Sequence, residues 1–277
     1  MTALFQGRMD MIEIKTEAEI GKMREAGLVV GKTLELLRAA VEPGISTGAL
    51  DALAEQHIRA SGAVPSFKGY HGFPASICTS INDEIVHGIP SRERTVKAGD
   101  VISLDCGAIV DGWHGDAAIT IGVGEIAPEL ATMLQVCEEA LWRGVGAARL
   151  GGRLTDISHA VETYIRSQGR YGIVEEYGGH GIGTQMHQDP HLLNYGRPGR
   201  GPRLVKGMAL AIEPMINLGG RRTRVLADDW TVVTDDGSYS AHFEHTFTLT
   251  DHGPYVLTAL DAGADRLATL AAEAPAG

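Results

Sequence analysis

The sequence has no apolar run approaching the ~20 residues that a membrane-spanning helix needs. Its first residues carry Arg8, Asp10 and Glu13, where a secretory leader would place an apolar core. A membrane span and a signal peptide are therefore excluded as readings, the expected compartment is cytoplasmic, and no membrane partner is expected. Cysteine is scarce: Cys78, Cys106 and Cys137 have neither the number nor the spacing of a disulfide framework or a thiolate zinc site, and they read as reduced and buried. Positive charge is in deficit as well. A net charge of -11 argues against a general polyanion binder, so no nucleic-acid partner is expected. Arg197, Arg200 and Arg203 do cluster, but in a Gly/Pro-rich stretch that reads as a surface loop.

What is present is ample core material: 277 residues, 44% hydrophobic and 21% charged, which excludes a disordered chain. Residues 1–12 show no helical period and read as an N-terminal extension, with Met1, Met9 and Met11 all open as the translation start. Residues 13–264 read as one folded unit, and the Ala-rich residues 265–277 as a frayed tail. Thr16 with Glu19 forms a capping box ahead of an amphipathic helix that the Pro43-Gly44 turn stops. Further helices are predicted over 47–60, 128–145 and 154–167. Between them, 101–110 and 113–123 alternate like strands around Asp111-Gly112, a strong hairpin signal.

An internal repeat organises the rest. Gly44, Glu55, Ile58, Arg59, Gly62, Tyr70 and Gly72 recur in order as Gly151, Glu162, Ile165, Arg166, Gly169, Tyr177 and Gly179. Gly99, Ile102, Leu104 and Asp105 then match Gly207, Leu210, Ile212 and Glu213, and after an insertion Asp116 matches Glu244. Each half reads helix, helix, strand, strand, with halves at about 16–125 and 126–260. The implied α+β architecture joins two pseudo-twofold-related halves into one curved antiparallel sheet covered by helices.

A two-residue loop at Asp111-Gly112 would set Val110 opposite Trp113, Gly107 opposite Asp116 and Asp105 opposite Ala118. Asp105 and Asp116 would then share one sheet face as diagonal neighbours. By the repeat, Glu213 and Glu244 occupy the matching places in the other half. Any one of these acids alone reads as a solvated strand residue. Four together, flanked by Ile102, Leu104, Ala211 and Ile212, repel one another unless cations or shared protons intervene. Four carboxylates carry a charge that two divalent ions neutralise, so a two-ion site is expected, with Mn, Fe, Co or Zn all compatible. His180 is the candidate imidazole, because its flanking glycines would let the backbone bend it against an ion. Gly122 and Gly124 form a short nucleotide-type glycine match, but no acidic residue ends a second strand, and the match reads as chance.

The blocks GYHGFPASICTSINDEIVHGIP, GDVISLDCGAIVDGWHGDAA, GGHGIGTQMHQDP, LAIEPMI and FEHTF resemble bacterial type I methionine aminopeptidases, over roughly residues 11–260. The resemblance implies the pita-bread fold, with Asp105, Asp116, His180, Glu213 and Glu244 as metal ligands of two divalent ions. It further implies a cytoplasmic metalloaminopeptidase that removes the initiator methionine from nascent chains by attack of a metal-activated water. Glu213 would take part in activating that water, and His87 and His187 would contact substrate and stabilise the developing tetrahedral species or the leaving nitrogen. Tyr70, Phe73, Cys78 and Trp230 would line the methionine pocket, with Phe67 and Met186 weighed equally as core. Transient proximity to the ribosome and a monomeric state are also expected. The alternatives are an Xaa-Pro aminopeptidase or prolidase, which usually carries an extra N-terminal domain, and a non-catalytic binding protein on the same fold.

Overall fold

The computed structural model describes residues 12–273; the extension and candidate start methionines lie almost wholly outside them. The first half runs α1 (Glu17–Ala40), α2 (Thr47–Ala60), β1 (Val64–Pro65), β2 (Ile77–Ile81), β3 (Glu84–Val86), β4 (Val101–Val110) and β5 (Trp113–Gly122). The second begins with α3 (Pro128–Ala147), α4 (Leu154–Gln168), β6 (Gly172–Ile173), β7 (Gly179–Gly181), β8 (Gln188–Leu192) and β9 (Ala209–Ile212). It continues through β10 (Met215–Asn217), β11 (Thr223–Val225), β12 (Val232–Thr234), β13 (Ser240–His242), β14 (Glu244–Thr250), β15 (Gly253–Val256) and α5 (Ala264–Glu273). The predicted helices and hairpin are all there, each within a few residues of its expected ends.

The local chemistry explains the boundaries. At the start of α1 the Thr16 amide donates to the Glu19 carboxylate (2.7 Å) and the Glu19 amide to the Thr16 hydroxyl (3.4 Å), the reciprocal capping box. Pro128 opens α3, where its missing N–H leaves no helical bond unmade. Between β4 and β5, Asp111 (φ 49°) and Gly112 (φ 82°) are both left-handed, as a type I′ turn requires.

Nine strands form the main sheet, along the path β1, β4, β5, β14, β9, β7, β8, with β2 added to β4 and β15 to β14. The two halves meet where β5 pairs with β14: Ala118 faces Glu244 and Ala117 faces His245. That register is its own mirror under the repeat, so the pseudo-twofold passes between Ala117 and His245. Helices α1 and α3 pack against the sheet, and the core between them includes Leu50, Ile58, Leu104, Leu141, Ile157, Ile212 and Phe247, all buried. Each such large aliphatic or aromatic side chain contributes roughly 1.5–3 kcal/mol. Two glycines let α1 sit close: a Cβ on Gly115 of β5 would stand 2.8 Å from the Gly27 nitrogen, and one on Gly27 2.2 Å from the Leu257 carbonyl oxygen just after β15.

The segment expected to fray from residue 265 is helical as far as Glu273. Arg143 pairs with Glu273 at 2.6 Å and Arg266 with Glu139, tying α5 to α3.

Candidate metal centre

The β4–β5 register matches the parity argument residue for residue: Val110 faces Trp113, Gly107 faces Asp116 and Asp105 faces Ala118. Asp105 and Asp116 therefore project from one face, while Cys106, one residue on, is buried in the core. The Thr246 hydroxyl pins Asp116 from across the axis, accepting from its amide (3.1 Å) and donating to its carbonyl (2.8 Å).

The second half supplies its acids less symmetrically. Glu244 opens β14 at the place of Asp116, but β9 is shifted: Thr246 pairs with Ala211, two residues short of Glu213. Two residues are one pleat period, so Glu213 stays on the functional face, just beyond the end of β9. His180 pairs with Ala211 on the next strand. The glycines around it do not bend the chain, because none has a positive φ. They admit close neighbours instead: a Cβ on Gly179 would lie 2.2 Å from the Ala211 carbonyl oxygen, and one on Gly181 2.1 Å from that of Asp189. This corrects the reason, though not the residue, expected from the sequence.

The side chains converge. Ligand atoms of Asp116, His180 and Glu244 lie within 4.8 Å of one another, as do those of Glu213, His242 and Glu244. Asp105 lies outside both groups, yet its charge bears on Asp116, Glu213 and Glu244. His180 Nε2 stands 3.6 Å from Glu213 Oε1, and its Nδ1 lies 3.0 Å from the Gly181 carbonyl oxygen, the second contact by which a ligating imidazole is oriented. Asp105 Oδ1, Asp116 Oδ1 and Glu244 Oε1 are buried with no hydrogen-bond partner among the described residues. Buried carboxylate oxygens left unpaired are costly. Together they form the donor set a hard or borderline divalent cation satisfies.

Electrostatics point the same way. Burial pushes the Asp105 carboxyl up to about 7, and burial with mutual repulsion raises Asp116, Glu213 and Glu244 well above the usual carboxylate range. Burial lowers His180 to about 4 and His87 to about 4, so both imidazoles are neutral at pH 7 with a lone pair free for a cation or a substrate proton.

Beside the acids lies a separate apolar cluster. Phe67, Phe73, Ala75, Cys78 and Met186 are buried together, with Tyr70, Ile89 and Trp230 packed against them. All six residues considered for the pocket are thus brought into one place. Trp230 is positioned by Asp228, whose carboxylate accepts from the Trp230 amide at 3.0 Å and from the Thr231 hydroxyl at 2.6 Å. His187 links this cluster to the acids, its ring 4.4 Å from that of His180, with Nδ1 2.9 Å from the Tyr70 hydroxyl. His87 holds a left-handed backbone (φ 61°), and its ring edges those of Tyr177 and Trp230 at 5.8 and 6.3 Å.

Residues 21–251 match metallopeptidase family M24. The chain belongs to that family. This M24 peptidase is 55% identical over 248 residues to the methionine aminopeptidase of Clostridium acetobutylicum, covering 90% of this chain and 99% of the relative. It is 53% identical to methionine aminopeptidase 1 of Mycobacterium tuberculosis, over 92% of this chain and 98% of the relative. Its fold is that of the methionine aminopeptidase of Thermotoga maritima, with a TM-score of 0.88 at 42% identity, covering 90% of this chain and 100% of that one. The M24 peptidase is accordingly a metallopeptidase with the pita-bread fold.

Two residues of the M24 peptidase site went unread in the sequence. His242 and His114 stand two residues before Glu244 and Asp116, and the repeat that aligns the acids aligns these histidines too. The doubled pattern of histidine, any residue, acid was the available signal.

Proposed function

We propose that the chain is a metal-dependent aminopeptidase that removes the N-terminal methionine from nascent polypeptides, in the cytoplasm and as a monomer. The carrying observation is the juxtaposition of four raised, partly unpartnered carboxylates with a cluster of apolar side chains around Phe73, Cys78 and Trp230. Relatives at more than half identity bear the methionine aminopeptidase name, and neither the Xaa-Pro reading nor the non-catalytic one is favoured.

Asp105, Asp116, His180, Glu213 and Glu244 would hold two divalent ions, Co, Mn, Fe or Zn, since the charge of four carboxylates matches two such ions. When bound, the ions lower the pKa of water and polarise the scissile carbonyl. Glu213 would be the proton acceptor for the attacking water. His187, with Nδ1 engaged by the Tyr70 hydroxyl, presents Nε2 to the substrate as a hydrogen-bond donor to the tetrahedral oxygen or the departing nitrogen. His87, whose ring edges those of Tyr177 and Trp230, would do the same. Tyr70, Phe73, Cys78 and Trp230, with Phe67 and Met186, enclose the methionine side chain and exclude water from it. No covalent intermediate is needed. Substrates are the N-termini of emerging chains, which calls for transient proximity to the ribosome.

The test is a comparison of peptides beginning Met-Ala, Leu-Ala, Lys-Ala and Ala-Pro. Methionine release should dominate. Equal turnover of all four would defeat the methionine assignment, and preferential cleavage of the Xaa-Pro peptide would support the rival reading.

A further inference from the structure

Lys15 is only 6% exposed, a burial that is costly for an ammonium unless it is partnered. It closes a ring of three side chains. Its Nζ donates to the Glu13 carbonyl and to Gln188 Oε1, both at 3.1 Å, while Gln188 Nε2 donates to Glu13 Oε2 at 2.7 Å. Both ends of the Gln188 amide are thus engaged by the short arm that precedes α1. The arm is fastened in turn: the Lys15 amide donates to the Gly207 carbonyl at 2.9 Å, and Ile14 pairs with Met208.

What the ring holds is the segment from Gly183 to Gln188. Within it, Met186 enters the apolar cluster and His187 meets Tyr70 and His180. Gln188 follows His187 directly. The pairing of β7 with β8 is irregular between Gly179 and Gly181, so a continuous ladder does not set this end of β8. Gly183 is held from β5, where the His114 amide donates to its carbonyl at 2.9 Å. Lys15 reaches both ends of the segment: a Cβ on Gly183 would stand 2.7 Å from Lys15 Cε and 2.9 Å from Gln188 Oε1. The lysine stem lies against Gly183 while its head bonds Gln188.

We propose that Lys15 is a positioning residue for His187, fixing through Gln188 the backbone that carries the imidazole to the Tyr70 hydroxyl and the substrate. The proposal rests on the substrate-contacting role given to His187 above and adds the N-terminal arm to the machinery of the site. A positioning group acts on rate through geometry, where displacement of the order of 1 Å is felt strongly.

The experiment uses the full chain loaded with zinc and labelled with nitrogen-15 in its histidines. His187→Ala identifies the His187 ring signals, and Tyr70→Phe marks the Nδ1 shift that loss of the Tyr70 bond produces. Lys15→Met keeps the stem and removes the donor; it should move Nδ1 in the direction seen in Tyr70→Phe with zinc content unchanged. On a Met-Ala-initiated peptide it should lower kcat by about tenfold with KM changed by less than about twofold. In a His187→Ala background the same substitution should cost less than about twofold more, since a residue that works through His187 is silent without it. An unmoved His187 nitrogen, or a loss that multiplies in full on the His187→Ala background, overturns the proposal. Should Lys15→Met fail to fold, Gln188→Leu opens the same ring from the other side and carries the same expectations. A wild-type protein that releases no methionine would overturn the aminopeptidase reading instead, and the ring signals would still decide whether Lys15 places His187.

Discussion

The two halves of the sheet carry the same frame and furnish it differently. In the first, Asp105 lies between Cys78 on one neighbouring strand and Ala118 on the other. At the matching place in the second, Ala211 lies between His180 and Thr246, and the acid has moved two residues along to Glu213. Cys78 and His180 are thus counterparts across the pseudo-twofold. The thiol, pushed up by burial, joins the apolar pocket; the imidazole joins the acids. The same strand frame has been divided between holding a side chain and holding a cation.

Breaking the shared part of the comparison should have the largest effect. Asp116→Asn and Glu244→Gln alter equivalent positions on the axis, and each should lower kcat/KM by about 100-fold or more with loss of bound metal, measured by peptide assay and elemental analysis. A large asymmetry between them would show that the axis does not organise the site. Next comes the divergent pair. His180→Ala should lose metal, whereas Cys78→Ala should keep its metal and lose about tenfold in kcat/KM for methionyl peptides. Metal loss in the cysteine variant would erase the distinction between the halves.

The acids also predict a pH dependence for the metal-free protein. Asp105 is raised from an ordinary 3.8 to about 7, so in that interval the unfolded chain has given up a proton that the folded chain retains. Stability of the metal-free fold should therefore be fullest below pH 4 as far as this group is concerned, and fall as pH rises through about 7; chemical denaturation across pH measures it. A divalent ion should reverse the trend. The smallest effect concerns the hairpin: Gly112→Ala, at φ 82°, should cost about 1–2 kcal/mol in denaturant unfolding without changing metal content.

Much of this was legible because its causes are local. The Asp111-Gly112 turn sets the parity of a long regular hairpin, so the shared face of Asp105 and Asp116 follows from counting. The repeat carried Glu213 and Glu244 to the same surface. It could not reveal the two-residue shift of β9, because that slip preserves the alternation of faces and leaves no trace in hydrophobic pattern. His242 was missed since it ends a three-residue strand, too short for a period to show. The glycines beside His180 were read as a bend because glycine signals conformational freedom first, and only packing distances reveal its other use, close approach. Helix α5 was read as frayed because its hold on α3 comes from Arg143 and Arg266, distant or exposed partners that composition does not disclose.

The central claim is that the carboxylate cluster works by holding divalent ions beside a methionine pocket. It is tested most directly by following methionine release from a Met-Ala-initiated peptide before exhaustive chelation, after it, and after a divalent ion is restored. Activity that disappears and returns is the predicted result. Activity that survives complete removal of metal would contradict the account.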